Sequence, residues 1–201
     1  MNQIIYNPQI IDLGVSHKWA SCNLGANSPE EFGNYFAWGE IESKSIYDCN
    51  NYKWFVDGIS NKYGDIGEET ILNTNSLKKL DLEDDAAHVM LKGTWRIPSL
   101  KDIDELYKQC DWIWTAMNGI SGCRITSKVQ GYTDSFIFIP AAGCICRSDK
   151  VNYGFSGFYW SNSIYKDNIH KAIMTTFDCN RRYRYMPCSR YIGLPIRPVC
   201  D

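Results

Sequence analysis

The sequence predicts an α+β fold of small, mostly antiparallel sheets carrying one or two helices and long loops. Three observations lead there. Only one window, Ser99–Cys110, shows a full helical period. Beyond it, short alternating or apolar runs are separated by turns rich in Gly, Asn and Asp. Before it, a polar stretch rich in Asn, Gly and Tyr (48–77) shows no period, and the region 48–80 reads as a loop insertion.

The elements follow in order. Ile10–Leu13 reads as an opening strand, and Lys18–Ala20 either continues it or pairs with it. Ser28-Pro29-Glu30-Glu31 has a capping residue, a proline at the first helical position and two acids in the first turn, which predicts a short helix ending near Gly33. Glu83–Val89 reads as a helical or turn segment. Ser99 caps the main helix with Asp102 three residues on, and Ile103, Leu106, Tyr107 and Cys110 form one apolar stripe. Cys123–Val129 alternates, Ser135–Ile139 reads as a central strand, and Gly157–Ser161 and Lys171–Phe177 read as strands of the same sheet, closed by Ile196–Val199. No internal repeat or dividing linker is visible, so 1–201 reads as a single domain.

Composition bounds the function. With 44% hydrophobic and 14% aromatic residues, 201 residues supply a core for one domain and exclude extensive disorder. The longest apolar stretch, Phe136–Cys146, is broken by Pro140 and Gly143 and is too short for a membrane-spanning helix. A net charge of −2 argues against a nucleic-acid binder. The charge is uneven, however: Lys166–Cys200 holds seven Lys or Arg and two Asp, a local +5 that leaves −7 on the remainder. Such a segment is either a recognition face or a solvated face bridged to acids of the body. The nine cysteines include no C-x-x-C, and their only close pair is Cys144 and Cys146. The first residues, Met1 to Pro8, lack the basic and apolar regions of a signal peptide. Most of the thiols are expected to be reduced.

The common chemistries lack their signatures. His17, His88 and His170 are far apart with no spaced ligand motif, so neither a metal nor another cofactor is expected. There is no nucleophile elbow and no glycine-rich phosphate loop. Of the acidic groups, Asp102, Asp104 and Glu105 read as the solvated face of the main helix. Glu83, Asp84 and Asp85 read as caps or partners of Arg96, ahead of a calcium site. The sequence thus predicts a protein that is not an enzyme. Its most unusual stretch interleaves cations and aromatics, Arg181-Arg182-Tyr183-Arg184-Tyr185 and Arg190-Tyr191, residue types that anchor interfaces. The same residues would also suit a strand packed on the body through alternate side chains.

Several blocks occur together: Ile11–Ala26, Ser28–Glu40, Glu83–Val89, Trp95-Arg-Ile-Pro98, Phe138-Ile-Pro-Ala-Ala-Gly143, Gly157-Phe-Tyr-Trp-Ser-Asn-Ser163 and Ile196-Arg-Pro-Val199. In this order the chain resembles the Fibrobacter succinogenes major paralogous domain family, common in gut Bacteroidetes. That family looks like a branch of the C-type-lectin-like fold, in the group that holds formylglycine-generating enzymes and the variable proteins of diversity-generating retroelements. The resemblance implies neighbouring termini, Trp19, Trp38, Trp95 and Trp160 in the scaffold, and a ligand face built from C-terminal loops. It also implies a cell-surface or extracellular setting. The Glu-Pro-Asn, Gln-Pro-Asp and Trp-Asn-Asp motifs of calcium-dependent sugar binding are absent. The cysteine apparatus of the formylglycine enzymes has no residue-by-residue match.

Together these readings predict a non-catalytic, calcium-independent recognition domain for a protein or glycan ligand. Its predicted face comprises Tyr165, Lys166, His170, Arg181, Arg182, Tyr183, Arg184, Tyr185, Arg190 and Tyr191. One variant of this reading is a retroelement-diversified receptor-binding protein with Cys179–Ile192 as its variable segment. The alternatives are a structural or adhesive surface module, and an enzyme using a cysteine or a convergent metal.

Overall fold

A computed structural model describes residues 8–56, 59–60, 62–63 and 79–201. The architecture is mixed α+β: small antiparallel sheets and two helices. The signal-peptide reading of the first residues and most of the insertion (57–58, 61 and 64–78) lie outside the described residues.

The first sheet joins the two ends of the fold. β1 (Ile10–Ile11) pairs with β2 (Lys18–Ala20), and β13 (Val199–Cys200) lies on the other side of β2, with Val199 opposite Trp19. Lys18–Ala20 therefore pairs with the opening strand. The closing segment joins this sheet and not the one assembled from the middle of the chain. Pro198 at its entry directs its carbonyl to the Ala20 amide (2.9 Å), which sets that partner.

The predicted helix at Ser28–Gly33 does not form. Its one turn closes with Glu31 N donating to Ser28 O (3.3 Å), and the chain then reverses at Gly33 (φ +70°). A Cβ at Gly33 would lie 2.5 Å from Leu24 O. Asn34 N donates to Leu24 O and the Asn23 amide donates to Phe32 O, so tertiary bonds hold the segment as a loop against its local preference.

The middle of the chain makes two three-stranded sheets where the sequence suggested one. β5 (Cys110–Met117) and β6 (Ile120–Ser127) form a hairpin over Asn118–Gly119, both at positive φ as a two-residue turn of this hand requires. β7 (Phe136–Pro140) flanks β6, so it is an edge strand and not the central one. Its unbroken apolar run arises because side chains on both of its faces are covered. The other sheet runs β10 (Ser156–Ile164), β11 (Lys171–Asp178) and β12 (Arg182–Ser189). Two-stranded ladders, β3–β4 (Phe55–Val56, Ile59–Ser60) and β8–β9 (Cys144–Cys146, Asp149–Val151), complete the set.

Helix α1 (Ala86–Leu91) starts at Asp85, whose carboxylate accepts from Ala87 N and His88 N and also from Ile97 N. Helix α2 (Leu100–Gln109) has the predicted capping box, Ser99 with Asp102. Asp102 is nevertheless buried and not on a solvated face. It accepts from Arg96 Nη1 (2.7 Å), and its other oxygen lies 2.8 Å from His17 Nδ1. Arg96 is thereby spoken for, and the Glu83–Asp85 group pairs elsewhere.

One apolar cluster joins Trp19, Leu106, Trp112, Ile125, Ile139, Tyr159 and Phe177, and a second joins Phe36, Trp38, Ile97, Trp160, Leu194 and Ile196. The four tryptophans assigned to the scaffold, Trp19, Trp38, Trp95 and Trp160, are all buried. Polar side chains also hold the centre. Arg197, 1% exposed, donates to Asn23 Oδ1 (2.9 Å), Ala20 O (3.1 Å) and Phe138 O (2.8 Å). Asn23 passes the network to the Tyr159 hydroxyl, which donates to Pro140 O. Leaving a buried acceptor without its donor costs about 1–3 kcal/mol. Arg197→Leu, which strands three, should lower the unfolding free energy by about 3 kcal/mol or more in urea titrations. An unchanged midpoint would show that these bonds contribute little.

Candidate functional site

The cation–aromatic segment forms a strand, β12, and not the loops the resemblance implied. Its side chains from Arg182 to Met186 are exposed in succession, with Tyr183 and Tyr185 at 42% and 43%. An irregularity in the β11 pairing explains their arrangement. Thr176 faces Tyr183 and Met174 faces Met186, so Arg184 and Tyr185 together stand against Thr175 alone. Neighbours on a regular strand point to opposite faces, and a bulge relieves that rule. Both residues consequently reach α2: Arg184 Nη1 contacts Asp104 Oδ1 (3.0 Å) and the Tyr185 hydroxyl donates to Leu100 O (3.3 Å).

Arg182 reaches the other way, donating from Nη1 to Trp112 O on β5 (2.7 Å). Between β12 and β5 lies a groove of about 870 Å³. Tyr107 and Trp112, whose rings are 4.5 Å apart, line it with Arg182, Arg184, Lys128 and Asp111. The Arg184 guanidinium lies 5.5 Å from the centre of the Tyr107 ring, and the Tyr107 hydroxyl meets Thr175 Oγ1 at 3.1 Å. These contacts position Arg182 and Arg184 before any ligand arrives.

The other predicted face residues lie apart from this groove. Arg181 sits at the β11–β12 turn with Nη1 3.3 Å from the Tyr183 hydroxyl. Tyr165 and Lys166 lie at the β10–β11 turn. His170 and Tyr191 line a separate small hollow with Phe55 and Tyr52. Arg190 is not a surface residue: it is 1% exposed, donating to the Tyr52 hydroxyl (2.8 Å), Ile169 O (3.1 Å) and Lys62 O (3.2 Å) beside the Trp38 ring. Two of the seven C-terminal cations, Arg190 and Arg197, thus serve the core. Sequence reasoning missed the wall opposite β12. The run of aromatic and β-branched residues Trp112-Ile113-Trp114-Thr115 signals that strand, but it follows the helix without a break.

Asp81, Glu83 and Asp84 bring carboxylate oxygens within 4.8 Å of one another, the geometry of a cation site. The Lys62 ammonium occupies it, 3.0, 2.7 and 2.6 Å from those three carboxylates. The nine cysteines form no disulfide. Cys110, at the groove, is pushed up by burial to about 11, so its thiol stays protonated and unreactive at neutral pH. No family model, curated protein or solved structure matches this chain.

Asp102 sets the start of α2, the helix that holds Arg184 and Tyr185. Burial pushes its carboxyl up, but the bonds from Arg96 and Ser99 outweigh burial and hold it below the ordinary value. A lowered folded pKa contributes stability that is complete above pH ~4 and is lost as the pH falls through the folded value. Asp84 behaves alike, with burial outweighed by Lys62 and Tyr63. Melting temperatures measured from pH 7 to pH 2.5 should therefore fall for the native protein. They should fall less steeply for Asp102→Asn, which starts lower; equal slopes would remove Asp102 from the account.

Proposed function

We propose that this chain is a non-catalytic recognition domain of C-type-lectin-like architecture that binds a protein or glycan ligand at the groove between β12 and β5. The observation that carries the proposal is the run of five exposed side chains, Arg182 to Met186, on a strand whose Arg182, Arg184 and Tyr185 are already held by β5 and α2. Exposed tyrosine and arginine bring large contact area and hydrogen bonding, and fixing them beforehand lowers the ordering cost of binding. Lys128, Arg182 and Arg184 against Asp111 and the Asp104 that pairs with Arg184 leave the groove a positive balance, which suits an acidic ligand.

The resemblance to the Fibrobacter succinogenes major paralogous domains supports the same reading. Its shared blocks supply buried scaffold here, including Trp19, Trp38, Trp160 and Arg197, and the first strands lie beside the last. By the same resemblance the domain would act at a cell surface. The diversified variant draws on one more feature. Side chains 182–186 contribute no buried core, so substitutions there would leave the scaffold intact, whereas Arg190 in the same segment would not tolerate them.

The test is a screen of the purified domain against glycan and surface-protein arrays at low and high salt, beside the combined variant Arg182→Ala, Tyr183→Ala, Tyr185→Ala. Ligand affinity should fall at least tenfold in the variant and weaken with salt. The melting temperature should fall by only a few degrees, since the three hydrogen bonds removed, two of them exposed, are worth about 0.5–1 kcal/mol each. A ligand held equally by the variant would remove β12 from the binding face.

A further inference from the structure

The groove has a second wall whose backbone is open. Lys128 N donates to Gln109 O (2.8 Å), which makes Gln109 and Lys128 a hydrogen-bonded pair in the β5–β6 register. Such pairs alternate along an antiparallel ladder. Counting in twos, Asp111, Ile113, Thr115 and Met117 exchange bonds with β6, while the amides and carbonyls of Trp112, Trp114 and Ala116 project from the opposite edge. β5 ends its sheet, and among the described residues this edge meets one partner, the Arg182 guanidinium on Trp112 O. Arg182 stands where the N–H of a neighbouring strand would stand.

Resting on the recognition reading above, we infer that the ligand is an extended acidic peptide that adds to β5 as a fourth strand. Backbone pairing with Trp112, Trp114 and Ala116 would supply affinity, and side chains on alternate residues would supply selectivity. One face of the added strand continues the outer face of β5, where Lys128 (opposite Gln109) and Ile113 (opposite Arg124) lie; with Arg182 and Arg184 lining the same groove, that face calls for Asp or Glu at every second position. The other continues the inner face of β5, which carries Trp112 and Trp114 opposite Ile125 and Cys123, where an apolar residue fits. A peptide N–H arriving at Trp112 O would replace the Arg182 donor and free that guanidinium for a carboxylate. A second copy of the chain is the poorer occupant, because edge-to-edge pairing of two β5 strands would bring like cations together. On the β12 side, Pro187 lacks an N–H and blunts that edge.

The probe is the blocked octapeptide acetyl-(Glu-Val)4-amide, compared with acetyl-(Lys-Val)4-amide and a sulfated heparin hexasaccharide. The Ala116 N–H does not enter the β6 ladder, so Ala116→Pro removes an edge donor with little expected loss of stability. The glutamate peptide should bind the native protein and lose at least tenfold in affinity with Ala116→Pro, or when N-methylated at alternate residues. Amide exchange at Trp112, Trp114 and Ala116 should slow in the complex, a readout on the native protein that stands even if the proline variant fails to fold. Binding unchanged by Ala116→Pro but lost in the β12 triple variant would overturn strand addition and leave the recognition face standing. Binding of the hexasaccharide in place of the peptide would overturn the peptide and also leave the face standing. Edge amides protected in the free protein, with mass rising with concentration, would identify a second copy and overturn the inference. Indifference of every ligand to the β12 triple variant would sink the recognition reading itself.

Discussion

The guanidinium of Arg197 is the interaction on which the rest of this structure depends. It lies where loop, sheet and closing strand converge, and no apolar residue could serve that place. Ala20 O, Asn23 Oδ1 and Phe138 O each need a donor there, and a planar fork of N–H groups reaches all three. Through Asn23 the same network fixes the loop that ends at Gly33 and the Tyr159 hydroxyl beneath β7. Apolar packing joins these small sheets but is non-directional. Directional bonds to a buried cation set their mutual angle.

Arg190 repeats the device on the far side of the second apolar cluster, where it ties Tyr52, Ile169 and Lys62 to the Trp38 ring. Arg190 lies one residue beyond β12, and its amide bonds His170 O (3.1 Å). The strand is thus anchored at that end by the core and along its length by β11. Its opposite half is steered by the bulge toward α2 and β5. A rigid display strand follows: the residues that face outward are positioned by residues that do not.

Parts of this were legible in the sequence. The capping box of α2, its buried stripe and the tryptophan scaffold rest on local chemistry, and local chemistry is what a sequence displays. The Ser28–Gly33 helix failed because Asn23 and Leu24, distant in kind from any helical signal, claim that loop's backbone. Asp102 reads as polar surface until Arg96 is seen beside it. The candidate face was half legible. Tyrosine and arginine between 181 and 191 marked the segment, but burial separates Arg190 from Arg182, and no composition distinguishes them. The facing wall on β5 was hidden because a groove is made by two strands, and the sequence advertised only one.

The clasp between β2 and β13 has a mechanical consequence. Lys18 faces Cys200 and Trp19 faces Val199, so a force drawn between the two ends of the fold loads this pair at one extremity and peels it in sequence. Peeling runs only as far as Arg197, where the chain is riveted to the 20–23 stretch and to β7. The β12 groove is outside that load path. A domain tethered through its ends could therefore be strained at its hem while its display surface keeps its shape, and single-molecule extension would register a short early yield before the main rupture.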